Sequence, residues 1–120
     1  MTNIDAQKLI RLRSDLGDKT SFIRELIGSF EADVTALRQT PAAPVDERAD
    51  VVHQVTGSAA MLAPAQMVGR LNRLENALRN GLADETEFDT IATGLDALVD
   101  GLMEWVDLAP PDGEAIIAPQ

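Results

Sequence analysis

The chain has a single histidine, His53, and its surroundings are unusual for the middle of a helix. At 100° per residue, His53 projects roughly 110° from the mean direction of the apolar stripe Val45, Ala49, Val52, Val55 and Ala59, which puts the ring on an accessible flank. Gly57 follows four residues later on the same side, in mid-helix, where a glycine costs about 0.5–1 kcal/mol relative to alanine. Residues at i and i+4 are neighbours on a helix surface. A missing side chain at 57 therefore clears an approach to the imidazole, and Ser58, Ala59 and Ala60 keep the next turn small. An exposed imidazole is largely neutral at pH 7, because the free side chain titrates near about 6.5, and it offers a nitrogen lone pair as nucleophile. The chemistry that fits is phosphoryl transfer through the ring, where positioning and charge stabilisation do most of the catalysis and in-line access matters more than a pocket. A partner that brings the metal and the cations leaves this chain only the task of holding the ring. Two plainer readings stand beside this one: His53 as a structural or incidental surface residue, and Gly57 as a point of helix–helix contact.

The elements that must position this pair are helical, because apolar residues recur at three and four throughout. A short first helix follows Thr2-Asn3, with Leu9, Leu12 and Leu16 on one face and Gly17 as its stop. Asp18 is the expected N-cap of a second helix carrying Phe22, Ile23, Leu26, Ile27, Phe30, Val34 and Leu37. Two prolines make 39–44 a loop. The third helix is expected from Val45 to Met61, and Pro64 begins a fourth with Met67, Leu71, Leu74 and Leu78, ending at Asn80-Gly81. Asp84 with Glu87 resembles a capping box opening a fifth, whose Phe88, Ile91, Leu95, Leu98, Leu102 and Trp105 form a bundle seam. Short loops make neighbouring helices antiparallel. The expectation is an all-α fold, an antiparallel up-down-up-down four-helix bundle with an additional short N-terminal helix, over 1–108, followed by a flexible tail over 109–120.

Composition excludes several function classes. At 120 residues the chain fits one domain with a modest core. A net charge of −10 argues against nucleic acid or anionic membrane as partner, since both are bound through clustered Lys and Arg. The absence of cysteine removes disulfides, thiol catalysis and thiolate–metal sites. Three Phe, one Trp and no Tyr offer little for base stacking and imply an aliphatic core. The polar N-terminus and the lack of a long apolar run lead to the expectation of a cytoplasmic protein, neither secreted nor inserted.

The run His53-Gln54-Val55-Thr56-Gly57-Ser58-Ala59-Ala60-Met61-Leu62 resembles the signature of histidine-containing phosphotransfer (HPt) domains. Leu71, Leu74-Glu75 and Asn80-Gly81 resemble that family's next helix in kind and spacing, and helix number and order agree over residues 4–106. The resemblance implies that His53 accepts a phosphoryl group from a receiver-domain aspartate and donates it to another, with Gly57 as the clearance position. It places Glu75 opposite the histidine, where its carboxylate would accept a hydrogen bond from one ring nitrogen and free the other to react. The partners it implies are receiver domains of response regulators and hybrid histidine kinases, with Mg2+ supplied by the receiver and no cofactor in this chain. The protein would act as a monomer with no catalytic activity of its own. The lysine usual three residues after the histidine is Thr56 here, and Asp50 adds a negative charge. Arg79, one turn beyond Glu75, could compensate in part, while Arg70 and Arg73 are candidates for guiding docking; for all three, a solvated face with local ion pairs is the plain alternative. Glu75 could likewise be only solvated, and Thr56 a half-buried filler.

Three functions compete. The first is a phosphorelay carrier; the second is a phosphorylation-incompetent HPt-like module that binds and sequesters a receiver, which the loss of lysine at 56 keeps open. An enzyme with His53 as general base is weaker, because the sequence offers no companion nucleophile and no metal set.

Overall fold

The computed structural model describes residues 4–40, 43–82 and 85–116. Among them are five helices and no strand: α1 (Ala6–Asp15), α2 (Thr20–Arg38), α3 (Val45–Leu62), α4 (Ala65–Arg79) and α5 (Glu85–Leu108). No helix among the described residues is long and apolar enough to cross a membrane. The chain is a helical bundle in which α3 packs between α2 and α4, α5 lies against α2 and α4, and α1 rests on α2 and α3.

The core is aliphatic, with Ile23, Ile27, Phe30, Val34 and Leu37 of α2 buried against Ala49, Val52, Val55 and Ala59 of α3. Leu71, Leu74 and Leu78 of α4 and Phe88, Ile91, Leu95, Leu98 and Leu102 of α5 complete it. Several residues expected in the stripes lie at their margins instead, among them Leu12, Leu16, Leu26 and Met67, which are only partly buried. Phe22 is 43 % exposed and Val45 39 % exposed, while Trp105 is only partly buried and Val106 takes the inward position. Phe22 lies about 110° from the mean direction of the buried α2 positions, too far round the helix to reach the core.

The α1–α2 turn also departs from expectation. Asp18 does not cap α2: it sits at φ +60 directly after Gly17 at φ +76, and Lys19 occupies the cap position without a side-chain hydrogen bond. Aspartate tolerates the left-handed region better than most residues, and the Asp18 amide donates to the Arg13 carbonyl at 2.9 Å. The capping acceptor comes from the far end of the chain, where the Asp112 carboxylate takes hydrogen bonds from the Ser21 amide at 2.9 Å and the Ser21 hydroxyl at 2.6 Å. These bonds, and the Ser21 hydroxyl most of all, hold the Asp112 carboxyl below its ordinary pKa. Buried Arg13 donates to the carbonyls of Pro110 and Pro111, and the Gly113 amide donates to the Asp18 carbonyl. The chain is thus fastened through Gly113 rather than leaving the bundle at Ala109. The expected capping box at Asp84 lies outside the described residues.

For the site, the α3–α4 connection matters most. Only Ala63 and Pro64 separate the two helices. Ala63 is buried and extended, and Lys8 of α1 donates to its carbonyl at 2.6 Å. Pro64, with φ −57, caps α4. A connection this short fixes the register of α4 on α3 and therefore which α4 side chains stand beside His53.

Candidate functional site at His53

His53 emerges from the exposed flank of α3 with its side chain 73 % exposed. Across the α3–α4 groove, Nδ1 lies 3.0 Å from Glu75 Oε1. An ionised carboxylate can only accept, so in this pair Nδ1 carries the proton, and in the neutral ring the lone pair is on Nε2. Glu75 is the enclosed member, its side chain only 14 % exposed. That partial burial works to raise its pKa, but hydrogen bonds from Arg79 and from His53 outweigh it and hold the carboxyl below the ordinary range.

Arg79 stands one turn further along α4 and donates from Nε to Glu75 Oε2 at 2.9 Å. Its Nη2 donates to Asp50 Oδ1 at 3.1 Å, back on α3. Both carboxylates, with the Glu75 hydrogen bond foremost, raise the pKa of a guanidinium that is already always charged. His53 and Asp50 are three apart on α3, Glu75 and Arg79 four apart on α4, so each pair shares one helix face and the four side chains form a chain across the groove. The antiparallel match of these spacings follows from the two-residue connection at Ala63-Pro64.

Gly57 is exposed on the same strip of α3. A Cβ built there meets nothing within 4 Å, and its φ is not in the left-handed region. Neither packing nor backbone conformation calls for glycine, which removes helix–helix contact as its reason. Thr56 is half-buried, and its hydroxyl donates to the Val52 carbonyl at 2.7 Å, bonding back into its own helix. Gln54 is exposed but lies about 100° round α3 from His53. Arg70 pairs with Glu87 of α5 at 3.5 Å, away from the histidine, and Arg73 is exposed on α4 outside the His53 chain. Of the sequence candidates, then, His53, Glu75 and Arg79 are brought together by hydrogen bonds, Gly57 leaves open space beside them, and Thr56 and Arg70 have their polar groups engaged elsewhere.

Two features went unread in the sequence. Asp50 registers there only as an added negative charge, yet it is the far anchor of Arg79. Phe22 and Met61, 43 % and 42 % exposed, line a shallow, mainly apolar groove with Leu16 and Leu26, which Glu25 and Ser29 also border. Met61 is the i+4 neighbour of Gly57, so this groove continues the exposed strip that holds His53. The helical wheel of α2 carries the signal for Phe22; nothing in the sequence carries the one for Asp50 without the α3–α4 register. No family model, curated protein or solved structure matches this chain.

Proposed function

We propose that this protein is a phosphorelay carrier of the HPt type, taking a phosphoryl group from a receiver-domain aspartate onto His53 and passing it to another. The observation that carries this reading is the exposed ring whose Nδ1 is held by Glu75 while Nε2 is left free beside the open surface at Gly57. The Nε2 lone pair attacks phosphorus in the aspartyl phosphate. The P–N bond forms as the P–O bond breaks, and its electron pair returns to the aspartate carboxylate. The product ring is positively charged with its proton still on Nδ1, facing the Glu75 carboxylate. Transfer to the next receiver is the reverse of this step. Mg2+ belongs to the receiver, and this chain turns over phosphate only with partners.

The fold that goes with this reading is an up-down-up-down bundle of α2–α5 with α1 added at one end, acting as a cytoplasmic monomer. The groove at Phe22 and Met61 is where the receiver's apolar surface docks, bringing its aspartate over Gly57 to His53.

Incubation with a phosphorylated receiver tests the reading. The wild type should acquire phosphate that is labile to acid and stable to alkali, and His53→Gln should acquire none. One observation favours a second reading: Thr56 stands where a lysine would help hold the phosphate, and its hydroxyl is spent on Val52. Tight receiver binding with no label on the wild type would establish that alternative, a sequestering module.

A further inference from the structure

We propose that Asp50 and Arg79 are positioning residues for His53, acting through Glu75 to keep the ring proton on Nδ1 and the lone pair on Nε2. This rests on His53 being the nucleophile, and it adds two residues to the site with a role for each. The side chains are joined in sequence: Arg79 Nη2 to Asp50 Oδ1 at 3.1 Å, Arg79 Nε to Glu75 Oε2 at 2.9 Å, and His53 Nδ1 to Glu75 Oε1 at 3.0 Å.

Each link restricts the next. The Glu75 side chain has several rotatable bonds and, alone on a helix surface, would sample many rotamers at little cost. The planar guanidinium removes that freedom: with Nε on one carboxylate oxygen, the other is turned toward α3 and the ring. Arg79 itself is 42 % exposed and would wander in the same way, but Asp50 ties its distal end. Since Asp50 leaves from the helix that carries His53, three residues before it, the chain closes on α3 and does not hang from α4 alone. The same contacts keep Glu75 ionised despite its partial burial, and an ionised carboxylate is the form that demands a proton on Nδ1. Without it, a histidine side chain in water prefers the other neutral tautomer, with the proton on Nε2 and the nucleophile closed.

The test is the ring's proton, not the rate alone. His53 is the only histidine, so 15N-histidine labelling of untagged protein gives one ring spectrum, and at alkaline pH, where imidazoles are neutral, its two nitrogen shifts report the tautomer ratio. The wild type should show mainly the Nδ1–H form and Glu75→Leu mainly the Nε2–H form. Arg79→Leu should move the ratio toward Nε2–H by about three- to ten-fold, the size of one ordinary hydrogen bond. Asp50→Asn, at an exposed position that cannot unfold the bundle, should move it by about two-fold, as expected for an exposed ion pair acting at one remove. Arg79→Lys should restore part of the loss, and Arg79→Leu should have no further effect in a Glu75→Leu background. A ratio unchanged from wild type in both Arg79→Leu and Asp50→Asn would overturn the proposal. Because the ratio is read on unphosphorylated protein, it is independent of the relay. A wild type that takes no phosphate, but whose ratio moves in these variants, defeats the carrier and leaves the positioning chain standing; the converse result defeats the chain alone.

Discussion

Glu75 Oε1 lies 3.0 Å from His53 Nδ1 across the α3–α4 groove, with the carboxylate enclosed and the ring open to solvent. In the proposed carrier the difference in exposure would divide the labour, with the carboxylate that orients the ring sheltered from competing water and the nucleophilic nitrogen reachable. The relation has consequences for pH dependence. Glu75 has a folded pKa held below its unfolded one, so it contributes stability that is fully present above the ordinary glutamate value of about 4.3 and is lost as pH falls through the lower folded value. Asp112 behaves likewise through Ser21. Carboxyl-resolved NMR titration should find the Glu75 midpoint below the ordinary glutamate value and the Asp112 midpoint below the ordinary aspartate value. In Arg79→Leu the Glu75 midpoint should rise, while Asp112 stays where it was.

Gly57 should separate stability from function. Since an added Cβ meets nothing, Gly57→Ala should stabilise the fold by about 0.5–1 kcal/mol in urea unfolding, the cost of a mid-helix glycine. Gly57→Leu should fold equally well but lose most of its labelling by a phosphorylated receiver, because the larger side chain stands in the aspartate's path. Equal labelling of Gly57→Leu and wild type would show that this position needs no clearance.

Thr56→Lys places a cation beside the ring and gives up only a hydroxyl bonded within its own helix. It should lengthen the half-life of phosphorylated His53 by about three- to ten-fold, as a partly exposed charged hydrogen bond to the phosphoryl oxygens. The same variant should slow onward transfer, since the donor state is the one stabilised. The decay of labelled, purified protein measures the first effect, and a chase with unphosphorylated receiver the second.

The groove predicts a docking defect without a chemical one. Phe22→Ser and Met61→Ser remove apolar surface that is already more than two-fifths exposed, so each should cost the fold less than about 1 kcal/mol. Each should weaken receiver binding by about ten-fold in calorimetry, with little change in transfer rate at saturating receiver.

How far the sequence could be read follows from which contacts are local. The helix faces came through because their signal is spacing within one element: Ile23, Ile27, Phe30, Val34 and Leu37 are all buried, as are Phe88, Ile91, Leu95, Leu98 and Leu102. The misses are of two kinds. Phe22, Val45 and Trp105 sit at stripe margins, where apolar character alone does not say on which side of the boundary a residue falls. Arg13 and Asp50 are of another kind, since nothing local distinguishes them from solvated charges. Arg13 is buried because the carbonyls of Pro110 and Pro111 come to it from the other end of the chain. Asp50 matters because Ala63-Pro64 sets α4 in a register that brings Arg79 opposite. Within the site, the exposure of His53 and the side of the helix shared by Gly57 were legible; the chain that orients the ring was not.

Phosphoryl transfer to His53 is measured most directly by intact-mass analysis at neutral pH after mixing the protein with a phosphorylated receiver, followed by fragmentation to locate the added group. Addition of one phosphoryl group, located on His53, lost in acid and absent from His53→Gln, is the predicted result. A stable complex with the receiver but no added mass, or an added group on any other residue, would contradict it.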